Sequence, residues 1–224
     1  MDNNKDYNSI KLLPYALSGL FLFCIIEMLL VSVFGFFGEI VLAADMFRHL
    51  FILALFLCTY RLTDEFKYFD VCNFMFICYA IMAILVNGLL LAVNIFEMDG
   101  ISSYLSTAFD VLFEIVIMLD IVFLLKGICH KIISLGKTEK ASVLRRLIII
   151  WTSLYMVYIV AAKIILVYSL FYISLAVFIA LLAAIAVLSV LIAIHVMKFC
   201  FSYYIYLYNN SSQLRSGRKQ YEAT

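Results

Sequence analysis

The stretch E-I-V-L-A-A-D-M-F-R-H-L-F-I-L-A-L-F-L-C-T-Y, Glu39 to Tyr60, decides the topology of this chain. It carries Glu39, Asp45, Arg48 and His49, and only Leu50–Tyr60 is free of charge. That clean part is too short to span a bilayer, which takes about 20 residues at a rise of 1.5 Å each. The residues on either side settle the reading. Lysine and arginine collect in cytoplasmic loops, while short external loops lack them. If residues 38–60 cross, one side holds Lys5, Lys11, Arg61, Lys67, Lys126, Lys131, Lys137, Lys140, Arg145, Arg146, Lys198, Arg215, Arg218 and Lys219. These are fourteen of the sixteen basic residues. If they do not cross, the Lys126–Arg146 loop and its six cations fall outside. The stretch is therefore read as a span.

Five further spans follow from apolar runs at about 12–33, 71–93, 101–125, 147–168 and 172–197. The last two divide one long run, with a turn placed near Ser169–Tyr172. Val41–Ala43 loosely resembles a signal-peptide cleavage site, but the preceding apolar run is too long and Glu27 interrupts it, so it is read as a retained span. The expected architecture is all-α: a polytopic membrane bundle of six transmembrane helices with both termini cytoplasmic. An aromatic interfacial segment and a mobile tail occupy 199–224. Composition agrees. Of 224 residues 67% are hydrophobic and 14% charged, against roughly 45–50% and 25% in soluble domains. One proline and eight glycines leave few helix breakers. The net charge of +1 offers no basic surface for nucleic acid.

Local signals refine the ends of the helices. Gly136 is expected to end a cytoplasmic extension of the fourth helix and Thr138 to cap the fifth. Trp151 and Tyr155, with Tyr203, Tyr204, Tyr206 and Tyr208, read as an interfacial aromatic belt at the inner ends of the last two spans. None of the six cysteines is placed for an extracellular disulfide.

Function must be sought in the charges left at membrane depth, because each costs about 2.5–3.5 kcal/mol there unless paired or solvated. Glu27, Asp45, Asp110 and Lys163 fall in the outer half of the bundle, with Glu114 near the midplane. Ser103, Ser106, Asp110 and Glu114 share a stripe of the fourth helix, and Asp45, Arg48 and His49 share a face of the second. Asn87 of the third span lies near the same side. Two readings stay open. In one, Glu27, Asp45, Arg48, His49, Asn87, Asp110, Glu114 and Lys163 line an outward-facing acidic pocket for a cation, a proton-coupled solute or a small amine. In the other, Asp45–Arg48, and Asp110 or Glu114 with Lys163, are structural ion pairs.

The first reading implies transport or binding. An alternative is a non-catalytic sensor or accessory subunit that meets a cytoplasmic protein, or anionic lipid, through the basic 126–146 loop. Ala176, Ala180 and Ala184 form a small-residue face suited either to internal packing or to a homo-oligomer contact. No metalloprotease, hydrolase or phosphate-loop motif is present, so the chain is not expected to be an enzyme. No cofactor is implied. The expected location is the cell membrane.

Overall fold

A computed structural model describes the backbone of residues 3–32, 39–95, 99–161 and 175–221, and it is helical nearly throughout. The helices are α1 (Asn3–Ser32), α2 (Glu39–Arg61), α3 (Phe69–Ile95), α4 (Asp99–Ser134), α5 (Thr138–Ile159) and α6 (Leu175–Tyr221). Within the described residues five of them, all but α4, contain segments long and apolar enough to cross a membrane. α4 has 36 residues, ample length, but Asp110, Glu114 and Asp120 break its apolar run. The expected second span is present as α2. The expected turn at Ser169–Tyr172 and Lys163 lie outside the described residues.

Consecutive helices run antiparallel. Phe23 of α1 stacks on Phe47 of α2, while Gly19 faces Phe51. Phe56 and His49 of α2 meet Phe76 and Tyr79 of α3. Tyr79 and Cys72 in turn meet Phe113 and Asp120 of α4, which therefore covers the same depth as α3. Trp151 and Tyr158 of α5 pair with Ser189 and Phe178 of α6. α6 closes back onto α1, where Lys11 sits over the Tyr204 ring at 4.1 Å. The result is a ring of six helices with one basic end, at which Lys11, Arg61, Lys67, Lys126, Lys131, Lys137, Lys140 and Lys198 gather.

The side chains are distributed for an apolar solvent. Leu50, Leu53 and Leu57 of α2, and Ile84 and Leu85 of α3, are exposed, while Arg48, Thr59, Asn73, Glu114, Asp120 and Ser189 are buried. Apolar outside and polar inside is the arrangement a bilayer demands, because lipid cannot satisfy a polar group. Within the bundle most of those groups find polar partners, although Asp120 Oδ1 has none among the described residues. Thr59 bonds Asn73 Oδ1 at 2.8 Å, and Asn73 Nδ2 donates to Thr63 at 2.7 Å, joining α2 to α3.

The α2–α3 connection plugs the basic end. Phe66 is fully buried, stacked on Phe69 and edge-on to Phe199 and Tyr203 of α6. Beside it the Glu65 carboxylate accepts from Lys131 of α4 at 3.2 Å and from the Tyr203 hydroxyl at 2.5 Å. Tyr68 completes the turn with a left-handed φ of 77°, a conformation that a non-glycine residue holds only where its surroundings impose it.

α4 ends as expected at Gly136, whose φ is 75°. The Gly136 and Lys137 amides donate back to Ile133 and Ile132 at 2.8 and 3.2 Å, the paired closure of a left-handed cap. The start of α5 departs from expectation. Lys137, not Thr138, occupies the N-cap position, and no side chain caps it. With α4 closed by that turn, Thr138 already lies within the first helical turn, where its hydroxyl cannot serve as the cap. α6 also differs. It runs helically through most of the segment expected as a tail, to Tyr221.

Gly127 shows how tightly α4 is packed. A Cβ there would lie 2.7 Å from the Lys67 carbonyl oxygen and 2.8 Å from the Phe69 ring. Gly127→Ala should therefore lower the thermal midpoint in detergent. Overpacking costs typically about 1–3 kcal/mol, and a backbone contact this short outweighs the helix-propensity gain of about 1 kcal/mol. Gly88→Ala, with nothing within 4 Å, should not lower it. Equal midpoints for G127A and wild type would contradict this packing.

Candidate functional site

Arg48 is the centre of the buried charge. It projects from α2 into the bundle, and its Nη1 lies 2.9 Å from Glu27 Oε2 of α1 and 3.0 Å from Glu114 Oε1 of α4. Its Nη2 lies 2.6 Å from Asp45 Oδ1, one turn back on α2. The other oxygen of Glu114 accepts the Tyr155 hydroxyl of α5 at 2.5 Å. Three helices thus meet on one guanidinium, and α5 joins them through Glu114. Its five donors suit several carboxylates at once, which an ammonium could not bridge in this way.

His49, beside Asp45, carries the polar contacts on to α3. His49 Nδ1 lies 2.7 Å from the Asp45 carbonyl oxygen and 3.3 Å from Asp45 Oδ1, so that nitrogen carries the proton. With the imidazole neutral, Nε2 then accepts from the Tyr79 hydroxyl at 2.7 Å. Charge is not balanced in this assembly. Glu27, Asp45 and Glu114 set three carboxylates against one guanidinium, and His49 adds at most one further positive charge. Arg48 Nε is buried and has no hydrogen-bond partner among the described residues.

A small cleft adjoins the cluster. Cys24, Glu27, Met28, Arg48, Glu114, Tyr155 and Tyr158 line a space of about 10 Å³, roughly enough for one water molecule. It is too small for an organic amine in this conformation. No group of three or more histidine, cysteine, aspartate or glutamate side chains suited to a metal ion occurs among the described residues.

The structure brings Glu27, Asp45, Arg48, His49 and Glu114 together. Asp110, although on the same helix as Glu114, is exposed. The two are four residues apart, and the ring geometry turns Glu114 toward Arg48 and α5. Asn87 lies on α3, with its side chain outside the described set, as are those of Ser103 and Ser106. Lys163, expected as a partner for these acids, lies outside the described residues. So do residues 33–38, 96–98 and 162–174.

Sequence reasoning missed Tyr155, Tyr158, Cys24 and Tyr79. Trp151, Tyr155 and Tyr203 were expected in an interfacial aromatic belt, and all three are instead buried in the bundle. Trp151 Nε1 donates to Ser189 at 2.9 Å, and Tyr155 serves Glu114. The available signal was the spacing of Trp151, Tyr155 and Tyr158, which puts three amphipathic rings on one face of α5. A buried tyrosine or tryptophan needs a polar partner for its O–H or N–H.

Removing the guanidinium should unseat the assembly. Arg48→Met leaves buried acids without their cation and should cost about 3–5 kcal/mol, read as a lower midpoint of unfolding in detergent. Adding Glu27→Gln and Glu114→Gln to Arg48→Met should restore most of that loss. Tyr155→Phe should cost about 1.5–3 kcal/mol, the worth of a hydrogen bond to a charged group. Wild-type stability for Arg48→Met would mean that these contacts hold nothing together. Compared with known proteins, the chain matches no family model, no curated protein and no solved structure.

Proposed function

We propose that this multi-pass membrane protein binds a small cation, in the first place a proton, at the Arg48 cluster, and that this binding underlies cation- or proton-coupled transport. One observation carries the reading. Three carboxylates from three helices converge on a single guanidinium at membrane depth, beside a cleft with room for about one water. With every acid ionised the cluster holds surplus negative charge where each uncompensated charge costs about 2.5–3.5 kcal/mol. Uptake of positive charge removes that cost. The tyrosine and histidine groups around it, Tyr155 and the His49–Tyr79 pair, are donors and acceptors able to pass a proton along.

The depth of the cluster supports access from the far side. Arg48 is thirteen residues from Arg61, about 20 Å along the helix, and Glu114 is about 18 Å from Lys126. With the basic end in the cytoplasm of a cell, as lysine and arginine placement favours, the cluster falls in the outer half of a hydrocarbon core roughly 30 Å thick. A second reading, an accessory subunit that contacts a cytoplasmic protein, is favoured by the exposed cations Lys126, Lys137, Lys140, Arg145 and Arg146. It engages the opposite end of the molecule and leaves the charge imbalance without a role.

Flux measurements on the reconstituted protein test the proposal. A pH gradient should drive cation flux into proteoliposomes of the wild type, and Glu27→Gln or Glu114→Gln should abolish it while the chain still folds. Wild-type flux in both folded variants excludes the cluster as the site.

A further inference from the structure

We propose that the groove between α4 and α5 at the basic end is a binding site for an anionic phospholipid. The groove encloses about 560 Å³, a size within the range of lipid and small-molecule sites. Its rim carries Lys126 and His130 from α4 and Arg145 from α5, all exposed, and none of its described lining residues is acidic. Below the rim the wall is mainly apolar, with Val122, Ile148 and Ile149, and its two hydroxyls, Thr152 and Ser153, are bonded to carbonyl oxygens of their own helix. From Arg145 to Ser153 it descends about 12 Å along α5.

That polarity profile matches one occupant. A phosphate group at the rim would meet two permanent cations and an imidazole, and an acyl chain would lie along the wall at hydrocarbon depth. Neither Lys126 nor Arg145 has an ion-pair partner among the described residues. Lys126 is seen only over the Phe123 ring, at 5.3 Å. Ser153 spends its hydroxyl on the Ile149 carbonyl oxygen, at 2.9 Å, so it presents little polarity to a chain beside it. A protein partner would engage the rim but has no use for a wall that runs down into the bilayer. Basic pockets between membrane helices at the cytoplasmic surface are a recognised setting for acidic lipid head groups.

The test is native mass spectrometry of the full chain, released from detergent containing equal amounts of phosphatidylglycerol and phosphatidylcholine. The wild type should retain phosphatidylglycerol in preference. A basic residue near the surface contributes about fivefold in affinity, so Lys126→Gln with Arg145→Gln should weaken retention on the order of 25-fold. Ile149→Trp, which fills the wall without changing charge, should also reduce it. Lys137→Gln with Lys140→Gln is the control, since those lysines belong to a separate groove against α6, and retention should survive it. Equal loss in the control, or full retention in both the rim and the wall variants, overturns the proposal. Displacement by inorganic phosphate at matched concentration would reassign the rim to soluble anions. If the rim variant keeps its lipid and instead loses a co-purifying protein, the groove is a protein contact and the lipid site is excluded.

Discussion

Arg48 sets the constraint on which the rest of the bundle depends. Four ionised groups left unpaired at membrane depth would cost roughly 10–14 kcal/mol, comparable to the whole stability of a typical domain at about 5–15 kcal/mol. The helices are therefore not free to rotate or slide. α1 must present Glu27, α4 must present Glu114, and both must reach one guanidinium on α2. Tyr155 then holds α5 to the same point through Glu114. Apolar packing between lipid-exposed helices is weakly specific, because the tails of the bilayer are as apolar as leucine. The polar hub supplies the specificity.

The two ends of the molecule do different physical work. Near the cluster, acids exceed cations and little space is left, so a change in charge acts directly on contacts among four helices. At the basic end, Phe66 and the Glu65–Lys131–Tyr203 contacts close the ring, and the cations that remain point outward. Movement of positive charge into the cluster would relax like-charge repulsion between Glu27 and Glu114, which share one nitrogen of Arg48. Charge and helix packing are coupled there by construction. A ligand alters a conformational equilibrium only through such a difference in interaction between states.

Much of the fold was legible in the sequence because bilayer physics leaves few choices. The spans follow from length and apolarity, and the face shared by Asp45, Arg48 and His49 follows from helical periodicity. Gly136 was readable as a helix end because only a left-handed residue closes that turn easily. Other features were not legible. Thr138 looks like a cap until the preceding turn places Lys137 there. Trp151 and Tyr155 look interfacial because aromatic residues near a span end serve lipid belts and buried networks alike. Glu114 and Asp110 share a stripe of α4 on paper, yet one is buried and the other exposed.

The amino-acid sequence by itself determined the class of the protein, the number of its helices and the gathering of basic residues at one end. These depend on hydropathy and on order along the chain, both of which are one-dimensional. Only the tertiary structure decided that Arg48 is shared by Glu27, Asp45 and Glu114, with Tyr155 behind them. That choice depends on how each helix is rotated about its axis against its neighbours. Rotation is set by the simultaneous packing of six helices, and no single segment encodes it.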